Sequence, residues 1–319
     1  MKIGLITTWN QACGIASYSK FLVKSLQKAG HEVKVLAKTA PHLTELVEPD
    51  ESFVLRVKEL EPQIVRQYFA DCNLVHVQYQ NFLFGNVRSC LCFDEIPVVM
   101  TFHDSCIRME DVYYDGFIVH NSKFANFFNQ EGKLGRVIYP GVPIIDEIEL
   151  TYPERLVSFG LGRNMDDVVK NAIKDLPKIE FMTSYGHHKW LNFDELSNLL
   201  ASSGAIILFY PSTDALVASL SAKIAIGMKR PVIVSETNWF QELPDVVFRA
   251  RENNLAEVIK DVYDNYVFST NNNLYSEWKR KVDLFVKENS WDMTAHFHLQ
   301  FYEKLIENKK NGNVVSVNF

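Results

Sequence analysis

MKIGLITTWNQACGIASYSKFLVKSLQKAG, residues 1–30, holds the reading that decides the fold. Its opening, MKIGLITT, is apolar and β-branched, the pattern of a buried strand. From Ile15 to Ala29 the residues Ile15, Phe21, Leu22, Leu26 and Ala29 fall near one helical face. Gly14 therefore stands where a first strand's carboxyl end meets a helix. In open α/β sheets ligands bind at such ends, and a missing side chain lets backbone N–H groups and a helix N-terminus approach an anion. A tight turn that needs glycine is the other reading of the same residue.

The alternation continues outward. HEVKVLA, SFVLRV, NLVHVQY, PVVMTFH, GFIVHN and RVIYPG read as strands, with helices at 15–29, about 59–70 and about 122–131. Most of these runs are apolar throughout, which implies strands covered on both faces and a largely parallel sheet. The acidic, proline-bounded PIIDEIELTYPE, from Pro143, reads as a linker. Beyond it RLVSFG, KIEFMTSY, AIILFYP, PVIVS and DVVFRA resume the strand pattern, with helices near 165–175, 192–202, 216–228 and 252–267. Two consecutive doubly wound α/β units are expected, residues 1–147 and 148–290, facing a central cleft. After residue 270 the chain is helical and amphipathic; WKRK at 278–281 reads as a solvated helix face or a phosphate or lipid contact.

Composition narrows the function classes. The 319 residues are 47% hydrophobic and 23% charged, as in an ordinary globular protein of two domains. A formal net charge of -6 argues against dedicated nucleic-acid binding. No apolar run approaches the roughly 18 residues of a membrane span, and the N-terminus lacks a secretory signal pattern. A cytoplasmic location is expected, with peripheral contact at the inner face of a membrane left open. The five cysteines, Cys13, Cys72, Cys90, Cys92 and Cys106, form no C-x-x-C pair and have no histidine at zinc spacing, so they read as reduced thiols and no metal site is expected.

Taken in order, the loop at Gly14, then PVVMTFHD, HNSKF, VIYPGV, SFGLGRN, YPSTDALVASLSAKIAIGMKRPVIVS and ETNWFQEL resemble the retaining GT-B glycosyltransferases of the glycosyl transferase group 1 kind. The resemblance covers nearly the whole chain. It implies two Rossmann-like domains, a nucleotide-diphosphate sugar held mainly by the second, a hydroxyl acceptor held mainly by the first, and a last helix, about 291–309, crossing back to the first. No cofactor beyond the sugar nucleotide is implied, and no metal.

The resemblance also assigns roles. The loop at Gly14 faces the donor, although Cys13-Gly14 stands where the family often has two glycines. Arg163, after the strand RLVSFG, is placed to neutralise the departing diphosphate; the family's second cation falls at Val168, and Lys170 is the nearest substitute. His103, closing its strand, faces the donor sugar in this reading, or is satisfied within its loop by Asp104. His187 or His188 edges the nucleotide pocket. Of two family glutamates eight positions apart, Asp214 replaces the first, while the second falls at Ala222 or Lys223. Ser212, Thr213, Ser219 and Ser221 instead gather hydroxyls and helix-start N–H groups into an anion cradle, or cap the helix. Gln78 and Gln80 are read as facing the acceptor. The expected activity is a metal-independent, retaining transfer to a glycan, lipid-linked glycan, protein or modified base. A non-catalytic partner subunit and a sugar-nucleotide epimerase are the alternatives.

Overall fold

The computed structural model describes residues 1–40, 46–105, 107–128, 133–161, 164–185, 190–214 and 217–311. It divides into two compact units, one of Met1–Pro140 with the last helix, the other of Gly141–Asp214 and Ser219–Ser290.

The first unit is built on seven parallel strands: β1 Lys2–Thr7, β2 Glu32–Lys38, β3 Val54–Val57, β4 Leu74–Tyr79, β5 Val98–Phe102, β6 Gly116–Val119 and β7 Leu134–Val137, in the order β3-β2-β1-β4-β5-β6-β7. Every residue of β4 and β5 is buried, as continuous apolar runs require. Helices α1 Gly14–Lys28, α2 Pro62–Tyr68, the single turn α3 Asn81–Phe84 and α4 Ser122–Phe128 connect them. Strand order reverses between β1 and β4, where the doubly wound topology opens a crevice at the strands' carboxyl ends.

The second unit holds β8 Tyr152–Gly160, β9 Glu180–Tyr185, β10 Ser203–Leu208, β11 Val232–Ser235 and β12 Phe248–Ala250, also parallel, in the order β12-β11-β10-β8-β9. Its helices are α5 Asp166–Ile173, α6 Phe193–Ala201, α7 Leu220–Gly227, α8 Leu255–Val262 and α9 Asn273–Glu288. Here the reversal lies between β8 and β10. Part of the expected linker is strand, since β8 begins at Tyr152. Gly204 lets β10 lie against β8: a Cβ there would stand 1.9 Å from the Pro153 carbonyl oxygen. Backbone cannot yield as a flexible side chain does, so Gly204→Ala is expected to cost roughly 3 kcal/mol, seen in thermal melting as a Tm lower by about 6–12 °C.

The last helix, α10 Trp291–Lys310, packs within the first unit. Its buried residues Trp291, Thr294, Ala295, His298, Phe301, Tyr302 and Leu305 recur at three- and four-residue spacing, one helical face. Trp291 stacks on Phe21 at 5.3 Å, and Asp292 accepts from Ser25 and pairs with Lys28 on α1.

Candidate functional site

In the second unit the switch point is furnished by β8, β10 and the start of α7. Gly160 ends β8 with φ +120°, a conformation open to glycine and strained for other residues. A Cβ there would lie 3.7 Å from Ser221 Oγ and 3.8 Å from Tyr210 Oη, so those two hydroxyls border the bare backbone. Asn164 ties the two strand ends together: its Nδ2 donates to Phe159 O at 3.2 Å and its Oδ1 accepts from Phe209 N at 3.0 Å. Ser219 caps α7, its Oγ accepting from Ala222 N at 3.2 Å. First-turn N–H groups not taken by the cap face outward along the helix axis. Thr213 is held through its carbonyl, which accepts from Asn238 Nδ2 at 2.6 Å, and Ser212 and Asp214 are exposed beside it. Hydroxyls, a helix start and a glycine backbone are groups that receive a phosphate.

In the first unit the carboxyl edge carries a buried polar network. Tyr302 Oη lies 2.6 Å from His76 Nδ1, and His76 Nε2 lies 2.7 Å from Thr101 Oγ1. His103 Nε2 is 2.8 Å from Gln78 Oε1. Tyr18 Oη meets His298 Nε2 at 3.2 Å, and His298 Nδ1 donates to Thr294 O at 2.8 Å. His120 donates from Nδ1 to Ile138 O at 2.6 Å, and among the described residues its buried Nε2 has no hydrogen-bond partner. Burial lowers the pKa of all four histidines, to about 4 for His120 and about 3 for His298, and well below 6.5 for His76 and His103. The edge therefore presents neutral imidazoles.

Solved structures align with nearly the whole length of this chain. An α-glucosyltransferase in complex with UDP and a 13-mer DNA containing an HMU base is similar with a TM-score of 0.71 at 12% identity, over 96% of this chain and 99% of that one. The sucrose-phosphate synthase of Thermosynechococcus elongatus gives a TM-score of 0.64 at 15% identity, and the pneumococcal O-GlcNAc transferase GtfA in complex with UDP and GlcNAc 0.62 at 11%, each over 96% and 99% of the two chains. The chain has the GT-B fold. No protein-family model matches it, and no curated protein sequence is significantly similar.

Within the GT-B fold the sequence-predicted residues fall in three groups. Ser219, Ser221, Ser212, Thr213 and Asp214 lie at the α7 start or in the segment leading to it, while Arg163, His187 and His188 lie outside the described residues. His103 sits at the carboxyl end of β5, but Asp104 does not hold it; Asp104 accepts from Gln80 Nε2 at 2.7 Å. Gln78 corrects its expectation. It is fully buried and turned toward His103, so its side chain cannot touch an acceptor.

Gly14 also differs from expectation. It opens α1, is exposed, and a Cβ there would meet nothing within 4 Å. The left-handed residue of the turn is Asn10, with φ 50°. Cys13 caps α1 instead, its Sγ accepting from Ala16 N at 3.3 Å. Lys170 is exposed on α5 and pairs at 3.9 Å with Asp167, an ordinary helix-surface arrangement. Lys223 is buried, its ammonium 4.8 Å from the Phe285 ring, with its pKa lowered to about 8 by burial. WKRK divides: Trp278 is core and donates to Val246 O, while Lys279 and Lys281 pair with acidic neighbours one turn away along the helix. Among the described residues no group of three or more His, Cys, Asp or Glu is arranged to hold a metal, and no helix is long and apolar enough to cross a membrane. Sequence reading missed Gly160, Asn164 and Tyr210, whose signals are the GLGRN and FYP runs beside the strand ends.

Proposed function

We propose that this chain is a glycosyltransferase that moves a sugar from a nucleoside diphosphate, UDP in the first instance, to a hydroxyl acceptor, with retention and without a metal. The observation that carries the reading is the switch point of the second unit, where Gly160, Asn164, Tyr210, Ser219 and Ser221 converge at the end of β8 in a GT-B fold. Arg163, one residue before Asn164 in the sequence, neutralises the departing diphosphate together with Ser219, Ser221 and the α7 N–H groups. Ser212, Thr213 and Asp214 border the donor, and Lys170 adds long-range positive charge. His103 is assigned to the donor sugar, and Gly14 leaves room beside the start of α1.

The step balances without a metal. The bond between the anomeric carbon and the diphosphate oxygen breaks, its electron pair leaving with the diphosphate. The acceptor oxygen bonds to the same face of that carbon, and its proton passes to the departing phosphate. Positioning and leaving-group electrostatics supply the rate. Glycan, lipid-linked glycan, protein and modified base are the acceptor classes. The test is release of UDP from UDP-glucose, UDP-galactose and UDP-N-acetylglucosamine, with metal chelated. Slow, saturable release from one donor is expected; release that appears only when a divalent cation is restored overturns the metal-free step.

A further inference from the structure

Helix α9 is fastened by one face and bare on the other. Trp278, Val282 and Val286 are buried, and Trp278 Nε1 donates to Val246 O at 3.0 Å. Arg280, Leu284 and Lys287 follow one another at spacings of four and three residues, which sets them on the opposite side of the helix. All three are exposed, Leu284 to 44%, and with Lys279 and Asp283 they line an open groove of about 530 Å³. The charge there is not balanced. Among the described residues Asp283 is the one carboxylate lining the groove, and it already pairs with Lys229 at 2.8 Å and with Lys279 at 4.0 Å. Glu277, a turn from Arg280, pairs with Lys281 at 2.8 Å, and Glu288 lies outside the groove. Arg280 and Lys287 make no ion pair or hydrogen bond among the described residues. They stand about 10 Å apart along the axis, so they meet separate anionic groups more readily than a single one. Leu284 lies between them. A polyanion in water leaves that leucine wet, whereas the headgroup boundary of a bilayer takes up the leucine and both charges together.

We propose that the outer face of α9 docks the protein on a membrane surface rich in anionic phospholipids, with Arg280 and Lys287 engaging headgroup phosphates and Leu284 entering the interface between them. At a net charge of -6 the chain as a whole is repelled by such a surface. Attachment therefore depends on this stripe, and it is weak and salt-sensitive. It needs neither donor nor acceptor and stands apart from the transferase reading.

Sedimentation of the full chain with vesicles tests the docking, with phosphatidylcholine alone set against phosphatidylcholine and phosphatidylglycerol in equal parts. Binding to the mixed vesicles and none to the neutral ones is expected, weakening as salt rises. Each surface cation raises partitioning about fivefold, so Arg280→Gln combined with Lys287→Gln should lower it roughly 25-fold. Leu284→Ser should weaken it at every salt concentration. Lys24→Gln combined with Lys58→Gln removes as much charge from exposed positions of the first unit and should change it less than about twofold. All these side chains are exposed, so the variants should melt as the wild type does. Equal binding to both kinds of vesicle, no binding to the mixed ones, or binding undiminished in the Arg280 and Lys287 double variant overturns the proposal. Capture of duplex DNA in place of vesicles also overturns it and assigns the stripe to nucleic acid. UDP affinity measured on the same samples is independent: its absence defeats the transferase reading and leaves the docking to be judged by the vesicles.

Discussion

Acidification from pH 7.5 to 5 should lower the Tm of the first unit by roughly 10–25 °C, with little change in the second at the same pH. His76 and His298 are fully buried and His120 is 5% exposed, and burial holds all three neutral. Their folded pKa values lie below the ordinary 6.5 that they regain on unfolding. The stability they lend is whole above that value and is lost as pH falls through the window toward 4 and 3, because the unfolded chain binds protons that the folded one refuses. Each costs about 1.4 kcal/mol per pH unit, so three cost roughly 6 kcal/mol at pH 5, a large share of an ordinary domain's stability. His103 is left out of that sum because it is partly exposed. Circular dichroism melts at pH 7.5, 6 and 5 check this, and an unchanged Tm across the series contradicts neutral burial. His298→Gln, by removing one titrating ring, should flatten the dependence.

Arg163→Ala should lower turnover by roughly 100- to 1000-fold, the usual loss when a fixed donor to developing negative charge is removed. The leaving diphosphate gains charge as the glycosidic bond stretches, and a planar, permanently charged guanidinium matches two of its oxygens at once. Arg163→Lys keeps the charge without the planar fork and should recover part of the rate. His103→Ala, by contrast, should impair use of the sugar while sparing affinity for UDP. Initial rates of UDP release, with UDP affinity measured separately, distinguish the two. Unchanged kinetics in Arg163→Ala remove that residue from the mechanism.

The doubly wound architecture is legible because buried parallel strands must be apolar along their whole length: LVHVQY and VVMTF declare themselves even with His76, Gln78 and Thr101 among them. Those polar exceptions also mark where legibility ends. His76 and Gln78 alternate with Val75 and Val77, so both face one side of β4, yet the sequence reads Gln78 as facing the acceptor and gives His76 no role. The partners of His76, Tyr302 and Thr101, come from remote parts of the chain, 226 and 25 positions away. No local pattern encodes that meeting. A helix near 216–228 is expected from sequence, but α7 begins at Leu220; the cap at Ser219, one of the two readings of that residue, is a purely local hydrogen bond to Ala222 N. Gly14 invited a conformational explanation that Asn10 supplies instead, since asparagine tolerates the left-handed region and its presence there leaves the glycine unconstrained.

The central claim is that a nucleoside diphosphate seats at the end of β8, against Gly160, Ser221 and the start of α7. Titration calorimetry of the intact chain with UDP, set beside Gly160→Val, measures it most directly. Saturable binding by the wild type and its loss in a Gly160→Val protein that melts normally is the predicted result. Equal binding by both proteins, or none by a well-folded wild type, contradicts it.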